Sequence, residues 1–320
     1  MSPDPGSEGG DAETRGPQGD GEAGRRCGFV AIIGAPNAGK STLVNRLVGS
    51  KVSIVSPKVQ TTRTRVVGIA IAGATQVLLV DTPGIFAPRR ALDRAMVDAA
   101  WDAAAGADVI ALLVDASRTT AATAALPVVV GLKKRRRQAI LVLNKVDAVD
   151  KPTLLSLVAA LNGDGVFAPV FMISALTGDG VGELASHLAA TLPPGPWLYP
   201  EDQLSDMPAR LLAAEITREQ LFWQLQQELP YSIAVETEQW SDRSDDSIRL
   251  DQVIWVEREG QRPIVLGRGG QRIRQIGESA RKELERLFGH RVHLFLHVKV
   301  RERWREDPAF WRLQGLEPRR

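Results

Sequence analysis

Between Phe29 and about Leu192 the chain alternates short, wholly apolar runs with longer segments whose apolar residues recur every three or four positions. A short apolar run bounded by turn residues is the pattern of a strand buried on both faces, and the 3.6-residue recurrence is that of an amphipathic helix. Phe29 to Ile33, Val77 to Val80, Val109 to Val114, Ala139 to Leu143 and Val170 to Ile173 read as strands. Ser41 to Val48, with Leu43, Val44 and Leu47 on one side, reads as a helix, as do Ala91 to Ala105, Thr153 to Leu161 and Gly182 to Leu192. Strands alternating with helices build a parallel sheet covered on both faces, so positions 26–192 predict a doubly wound α/β domain.

The pattern changes after Leu192. The stretch LPPGPWLYPEDQLSDMP, Leu192 to Pro208, crowds prolines and shows little helical spacing, so positions 193–208 read as a linker. Beyond it come a helix from Ala209 to Glu228 and strand-like segments at Ser232 to Gln239, Ile248 to Arg258 and Ile264 to Leu266. A helical run from Gln271 to Phe288 and a strand from Val292 to Val300 complete a smaller α+β domain over 209–320. With 320 residues and 44% hydrophobic content, the chain is long enough for two cores. The first 24 residues lack apolar periodicity and are rich in Gly, Asp and Glu, so positions 1–25 read as a disordered tail. That tail has neither the hydrophobic core of a secretory signal nor the basic amphipathic character of a transit peptide. No apolar run is long enough to span a bilayer, and a soluble, cytoplasmic protein is expected. Cys27 is the single cysteine, which rules out an internal disulfide and a multi-cysteine metal site.

Several of the predicted strands end in motifs with specific chemistry. After Phe29 to Ile33 comes GAPNAGKS: Gly34, Ala35, Pro36, Asn37, Ala38, Gly39, Lys40 and Ser41. This is the P-loop spacing G-x-x-x-x-G-K-S, in which glycines let backbone N–H groups curl around phosphate oxygens, the lysine neutralises them and the hydroxyl ligates magnesium. The helix that starts here points its free N–H groups at the same phosphates. After Val77 to Val80 comes DTPG, Asp81, Thr82, Pro83 and Gly84, at a strand's carboxyl end, where open α/β sheets bind ligands. Asp81 is the expected magnesium partner and the Gly84 N–H a donor to a γ-phosphate; an ordinary turn is the alternative reading of these four residues taken alone.

The third motif selects the base. NKVD, Asn144, Lys145, Val146 and Asp147, follows Ala139 to Leu143. A carboxylate at Asp147 accepts from guanine N1–H and the exocyclic amine, whereas adenine presents an acceptor at N1 and no amine. A site that leaves such a carboxylate unpaired discriminates by about 10⁴ or more. Asn144 supports the loop and the purine edge, and the Lys145 stem lies on the base face. Ser174 and Ala175, after Val170 to Ile173, place a backbone N–H near the guanine carbonyl. GTP and GDP are therefore the expected ligands, with Mg2+ held by Ser41 and Asp81.

With these motifs in this order, the chain resembles the Era-like family of bacterial GTPases from about Gly28 to its C-terminus. The resemblance assigns Gln60-Thr61-Thr62-Arg63 to switch I and implies that Thr61 or Thr62 meets magnesium and the γ-phosphate; a polar loop before a strand is the alternative. Lys40, Asn37, Thr61, Thr62 and Gly84 are then the candidate catalytic residues. In small GTPases a glutamine after Asp-x-x-Gly orients the attacking water. Here Ile85 and Phe86 stand instead, which predicts slow intrinsic hydrolysis assisted by ions or partners. Relatives with asparagine at the place of Asn37 use potassium near the β- and γ-phosphates, so K+ is a candidate cation; bracing of the loop by Asn37 is the other reading.

The second domain is read through its charge. Four basic residues stand against eleven acidic ones between positions 206 and 257, and thirteen against five between 258 and 305. The basic half contains Gly267-Arg268-Gly269-Gly270 ahead of a helix, a G-x-x-G loop of the kind that clamps about four nucleotides in KH domains. The order α-β-β-α-α-β resembles the type II KH fold, and ELPYSIAVE, IGESARKELERLFG and VHLFLHVKV carry the family resemblance into this half. Arg268, Arg272 and Arg274 are the candidate phosphate contacts, with Ile264, Val265, Ile273 and Ile276 as an apolar floor under bases; a solvated helix face and ordinary core are the alternatives. His293 and His297 share a strand face but lie about 13 Å apart by rise, too far for one metal. Trp304 and Trp311 read as core cover. The basic cluster Lys133 to Arg137 reads as a solvated helix end.

The resemblance implies a partner, 16S ribosomal RNA near its 3′ end, a role in assembly of the small (30S) ribosomal subunit, and peripheral association with the inner-membrane surface; a monomer is expected. Two other readings stay open from the residues alone. One is an RNA-docking adaptor in which GTP is a structural ligand that is not turned over. The other, a relative that modifies transfer RNA, is disfavoured because the second domain has no evident cofactor site and no C-terminal cysteine.

Overall fold

The computed structural model describes residues 24–58, 61–162, 165–227, 229–313 and 316. The tail expectation for 1–23, Gln60 of the switch quartet and Glu228 lie outside the described residues.

The first part of the chain runs β1 (Arg26–Gly34), α1 (Lys40–Val48), β2 (Val66–Ala72), β3 (Thr75–Asp81), α2 (Ala91–Gly106), β4 (Val109–Asp115), α3 (Ala121–Lys134), β5 (Ala139–Asn144), α4 (Lys151–Asn162), β6 (Phe167–Ile173) and α5 (Val181–Thr191). The sheet order is β2-β3-β1-β4-β5-β6. β1 lies parallel to β3 on one side and β4 on the other, and only the β2–β3 pair is antiparallel. The order of connection reverses at β1, so its carboxyl end opens a crevice, which is where the P-loop sits. The period-two alternation of β1 divides the core: Ala31 and Ile33 join the cluster under α2, α3 and α4, whereas Val30 and Ile32 join the one under α1 and α5.

Two elements escaped the apolar pattern. β2, VVGIAIA, is diluted by Gly68 and two alanines, and α3, AATAALPVVVGLKK, has no polar stripe before its end and carries Pro127. The segment 193–208 is not a free tether. It is bridged to the sheet at Arg26–Pro194 and Gly68–Ser205, and the buried Gln76 amide takes the N–H groups of Leu198 and Tyr199 and donates to the Tyr199 carbonyl. The prolines fit because the segment covers a sheet edge and need not continue the ladder.

The second part comprises α6 (Ala209–Gln224), β7 (Ile233–Asp242), β8 (Ile248–Val256), α7 (Arg262–Leu266), α8 (Gln271–Phe288), β9 (Val292–Val300) and α9 (Pro308–Leu313). Its sheet is β7-β8-β9, antiparallel then parallel. The strand-like reading of Ile264 to Leu266 is corrected. These residues close α7, which has Pro263 in its first turn and stops at Gly267 with φ 72°. A three-residue apolar run cannot distinguish a short buried helix from a strand.

α6 and α8 cover one face of this sheet. The other face is closed by Trp304, Phe310, Trp311 and Leu316, packed with Ala234 and with Leu92 and Met96 of α2. Both tryptophans are therefore core cover, as expected, but the core they close is shared between the two sheets' domains. Trp304 is 1% exposed, donates its indole N–H to the Ser232 carbonyl at 3.2 Å and lies under the Arg63 guanidinium. Trp304→Ala should cost about 3–5 kcal/mol, the range for truncating a buried aromatic. Urea unfolding followed by tryptophan-independent circular dichroism measures it, and a loss below about 1 kcal/mol would contradict the shared core.

Candidate functional site

The nucleotide-type site assembles at the carboxyl ends of β1, β3, β4 and β5. Gly39 precedes α1 in the left-handed region at φ 97°, and a β-carbon there would stand 2.3 Å from the Asn144 side-chain nitrogen. Only glycine meets both demands. Asn144, fully within the site, donates to the Ala38 carbonyl at 2.8 Å and accepts the Ala175 N–H at 2.9 Å. One amide thus joins the P-loop to the Ser174-Ala175 loop. Of the two backbone N–H groups considered for the guanine carbonyl, that of Ala175 orients this amide and that of Ser174 donates to the Asp179 carbonyl. Ser174 is buried, its hydroxyl accepting the Thr177 N–H.

The Lys40 side chain is buried, with its ammonium on the Ala35 carbonyl at 3.1 Å. Burial pushes its pKa down to about 8, against the opposing pull of Asp81. Gly84 lies across the P-loop, close enough that a β-carbon would meet the Pro36 nitrogen at 2.7 Å. Beside it Thr82 donates to the Ile32 carbonyl and the Ile85 N–H to the Gly34 carbonyl, while the Ile85 side chain enters the core at 3% exposure. Pro83, between them, is also buried. The position after Asp-x-x-Gly accordingly offers no side chain to a water.

Three oxygens converge where magnesium is expected. Ser41 Oγ donates to Asp81 Oδ2 at 2.7 Å and lies 2.9 Å from Thr62 Oγ1, which is itself 3.4 Å from the same carboxylate oxygen. The second oxygen, Asp81 Oδ1, is buried with no hydrogen-bond partner among the described residues, as is Ser53 Oγ. Burial raises the Asp81 pKa, partly offset by the Ser41 hydroxyl and the Lys40 charge. An all-oxygen set with an orphaned carboxylate oxygen fits a hard divalent cation such as Mg2+. Thr61 does not belong to it: its hydroxyl bonds Ser56 Oγ and donates to the Lys58 carbonyl, so the side chain faces the other way along the loop. Of the two threonines, Thr62 stands with Ser41 and Asp81 in this structure, and the Thr61 hydroxyl, although Thr61 lines the same cavity, is bonded elsewhere. Asn37, at φ 64°, donates to the Pro57 carbonyl at 2.8 Å and so braces the loop that leads to Thr62.

On the base side Lys145, also left-handed at φ 66°, is held by an ion pair from its ammonium to Asp115 Oδ2 at 2.6 Å. Asp115 further accepts the Ser117 N–H, and it pairs in register with Asn144 across β4 and β5. Asp115 belongs to none of the sequence motifs. Its signal was position, an aspartate at the same level as the NKVD asparagine. Val146 packs partly against the core and Asp147 is exposed. A cavity of about 460 Å³ joins Pro36, Lys40, Ser41, Thr62 and Lys145, and Trp223 of α6 also lines it.

The glycine loop Gly267-Arg268-Gly269-Gly270 connects α7 to α8, with Gly269 and Gly270 at φ 58° and 76°. Arg268 and Arg274 are exposed, whereas Arg272 donates to the Ile264 carbonyl at 2.7 Å and braces the loop. A groove of about 560 Å³ runs beside it, lined by Gly270, Ile273, Arg274, Gly277, Leu294 and Leu296. The apolar floor is therefore Ile273 with two leucines of β9. Val265 and Ile276 are fully buried in the domain core, and Ile264 stands outside it, 48% exposed. The β9 leucines were missed because their approach to α8 is made by tertiary packing. Among the described residues no group of His, Cys, Asp and Glu could hold a metal, and no helix is long and apolar enough to cross a membrane. In the basic cluster, Arg135 stacks on Trp101 and Arg137 caps the end of α2 through the Ala105 and Ala107 carbonyls.

Fold and site together define a P-loop GTPase unit joined to a KH-type unit. Residues 29–145 match the family described as 50S ribosome-binding GTPase, and residues 228–305 match the KH domain. GTPase Era of Rhizobium meliloti (strain 1021) is 58% identical over 91% of this chain and 93% of its own length, and that of Brucella melitensis biotype 1 is 56% identical over 91% and 94%. A solved structure of Era in complex with MgGDPNP and nucleotides 1506–1542 of 16S ribosomal RNA is 38% identical, with a TM-score of 0.85 over 92% of this chain and 99% of its own. Aquifex aeolicus Era, as a point variant bound to GDP.AlF4−, gives 38% and 0.85 over 91% and 99%. The chain belongs to the GTPase Era family.

Lys40 supplies a test of the site. Phosphate oxygens beside a buried ammonium should restore its pKa towards the usual lysine range, so binding takes up a proton wherever free Lys40 is deprotonated. Isothermal titration with MgGDP in buffers of differing ionisation enthalpy should show most of one proton taken up at pH 8.5 and almost none near pH 7. Affinity should fall as pH rises through about 8. No uptake at pH 8.5 would remove Lys40 from the phosphate site.

Proposed function

We propose that this chain is a guanine-nucleotide switch that hydrolyses GTP slowly and, through its KH domain, binds 16S ribosomal RNA near the 3′ end, assisting assembly of the small (30S) ribosomal subunit. The supporting observation is that one chain carries both the P-loop site and the glycine loop with its groove, in an architecture that an Era structure holding MgGDPNP and nucleotides 1506–1542 of 16S ribosomal RNA shares. The broad GTPase family is described by the 50S subunit, but the KH groove and that RNA favour the small subunit.

Within this reading Gly34 to Ser41 cradle the phosphates, Lys40 neutralises the β- and γ-phosphates, and Asn144, Lys145 and Asp147 read guanine. Ser41, Asp81 and Thr62 would hold magnesium, which when bound neutralises charge developing on the phosphates. Hydrolysis is slow because Ile85 is in the core, leaving the water to be placed by backbone groups around Gly84 and Thr62. Asn37 would meet a potassium ion through its side-chain carbonyl oxygen, the amide nitrogen being a donor only and bonded here to Pro57. Turnover several-fold faster in potassium than in sodium buffer is expected, and equal rates would assign Asn37 to loop bracing alone.

On the RNA side, exposed Arg268 and Arg274 meet phosphates and the Ile273–Leu294–Leu296 floor receives unstacked bases. Replacing Arg268 and Gly269 together by Asp puts two negative charges at the loop. Binding of a 16S 3′-end oligonucleotide should be lost while GDP affinity stays within about twofold, and wild-type affinity should fall steeply with salt. Unchanged RNA affinity of the double variant would refute the assignment.

A further inference from the structure

The loop between α1 and β2, which carries Thr62, is fastened mainly to the second domain. The Val55 N–H donates to Glu219 Oε1 at 2.8 Å, and Lys51 pairs with Glu219 of α6 at 2.6 Å and with Glu283 of α8 at 3.0 Å. Lys58 donates to the carbonyls of Phe222 and Leu225 at the end of α6, and Arg63 donates to the Ile233 carbonyl at 2.7 Å. At the centre Arg218 of α6, 0% exposed, donates through Nη2 to the Thr61 carbonyl at 2.5 Å. Glu215 aims it, accepting from Nε at 2.7 Å and also from Nη2.

That carbonyl belongs to the peptide plane joining Thr61 to Thr62. Because the plane is rigid, fixing its oxygen fixes the direction in which Thr62 leaves the loop. The Thr62 hydroxyl then stands beside Ser41 and Asp81. Hydrolysis depends on the placement of such groups to within fractions of an ångström. We propose that Arg218 is a positioning residue for GTP hydrolysis: by holding the Thr61 carbonyl it sets Thr62 at the magnesium site, so that the KH-domain helix α6 completes the catalytic arrangement of the G domain.

This inference rests on the GTPase reading above and on Thr62 as a metal ligand. It also gives RNA a route to the switch. The helix that begins at the glycine loop, α8, packs on α6 and itself reaches Lys51 through Glu283. Arg63 is buried beside Arg218, so two like charges share this interface with Glu215. On the same helix Trp223, 56% exposed, faces the nucleotide cavity.

The test compares wild type with Arg218→Met, Arg218→Lys and Glu215→Gln in the full chain. Single-turnover GTP hydrolysis is measured across magnesium concentrations, with GDP and RNA affinities as controls. Arg218→Met should slow hydrolysis at saturating magnesium about tenfold and raise the magnesium needed for half-maximal rate several-fold. GDP and RNA affinities should stay within about twofold, because neither requires Thr62. Arg218→Lys, still able to reach the Thr61 carbonyl, should recover part of the rate, and Glu215→Gln should fall between. Unchanged rate and magnesium requirement in an Arg218→Met protein that still binds RNA would overturn the proposal, as would a lysine variant no better than methionine. If Arg218→Met loses RNA binding through misfolding, Glu215→Gln decides: an unchanged magnesium requirement there overturns it. If the wild type releases no phosphate, the GTPase reading fails separately, and the magnesium dependence of affinity for a non-hydrolysable GTP analogue gives the same comparison.

Discussion

Lys40 and Asp81 carry opposite charges into buried positions, Asp81 at the carboxyl end of β3 and Lys40 at the start of the helix after the parallel neighbour β1. Neither burial is favourable alone: burial displaces both pKa values towards the neutral forms, and the mutual attraction offsets only part of that. The surrounding structure follows from the need to hold this pair without satisfying it. The P-loop carbonyls hold Lys40, the Ser41 hydroxyl takes one oxygen of Asp81, and the other oxygen has no partner among the described residues. What remains unsatisfied is a cation's share at Asp81 and an anion's share at Lys40. A magnesium–phosphate ligand supplies both at once, which is why a single carboxylate and a single lysine can specify so composite a ligand.

That constraint also explains what the sequence made legible. Gly39, Lys40, Asp81 and Asn144 each sit at a fixed place in a motif that ends a strand, so spacing locates them even though their contacts reach distant loops. The two domains and most of their strands and helices followed from periodicities of two and 3.6, and the glycine loop from its G-x-x-G spacing. The features that were illegible depend on distant residues. Thr61 and Thr62 are chemically equivalent in the sequence; their hydroxyls take different partners, and the carbonyl between them is bonded by Arg218, 157 positions away. Val265 and Ile276 resemble a groove floor but point into the core, while Leu294 and Leu296 line the groove because β9 packs beneath α8. Asp115, outside every motif, comes to the base side only through the register of β4 and β5.

The segment 193–208 changes how the two domains relate. A proline-rich stretch with little helical pattern suggests a flexible tether, but its backbone and the Gln76 and Asp206 side chains stitch it along the β2–β3 edge. Its ends are thereby fixed before α6 begins. An α6 so anchored can act on the switch loop with a defined lever arm, which a free linker would not allow.

The packing on the two faces of the KH sheet then sets the direction of communication. One face is closed by Trp304, Phe310 and Trp311 together with α2, the helix that follows Asp-Thr-Pro-Gly. The other carries α6 and α8, which grip the loop holding Thr62. Both nucleotide-sensing segments therefore meet the same small sheet from opposite sides. Any change in either segment that alters the fit of the KH unit is bound by linkage: a ligand in the groove then acts back on that segment with the same coupling free energy. Such reciprocity needs no pathway of residues between the groove and the phosphates. It follows from one domain sharing two interfaces with one switch.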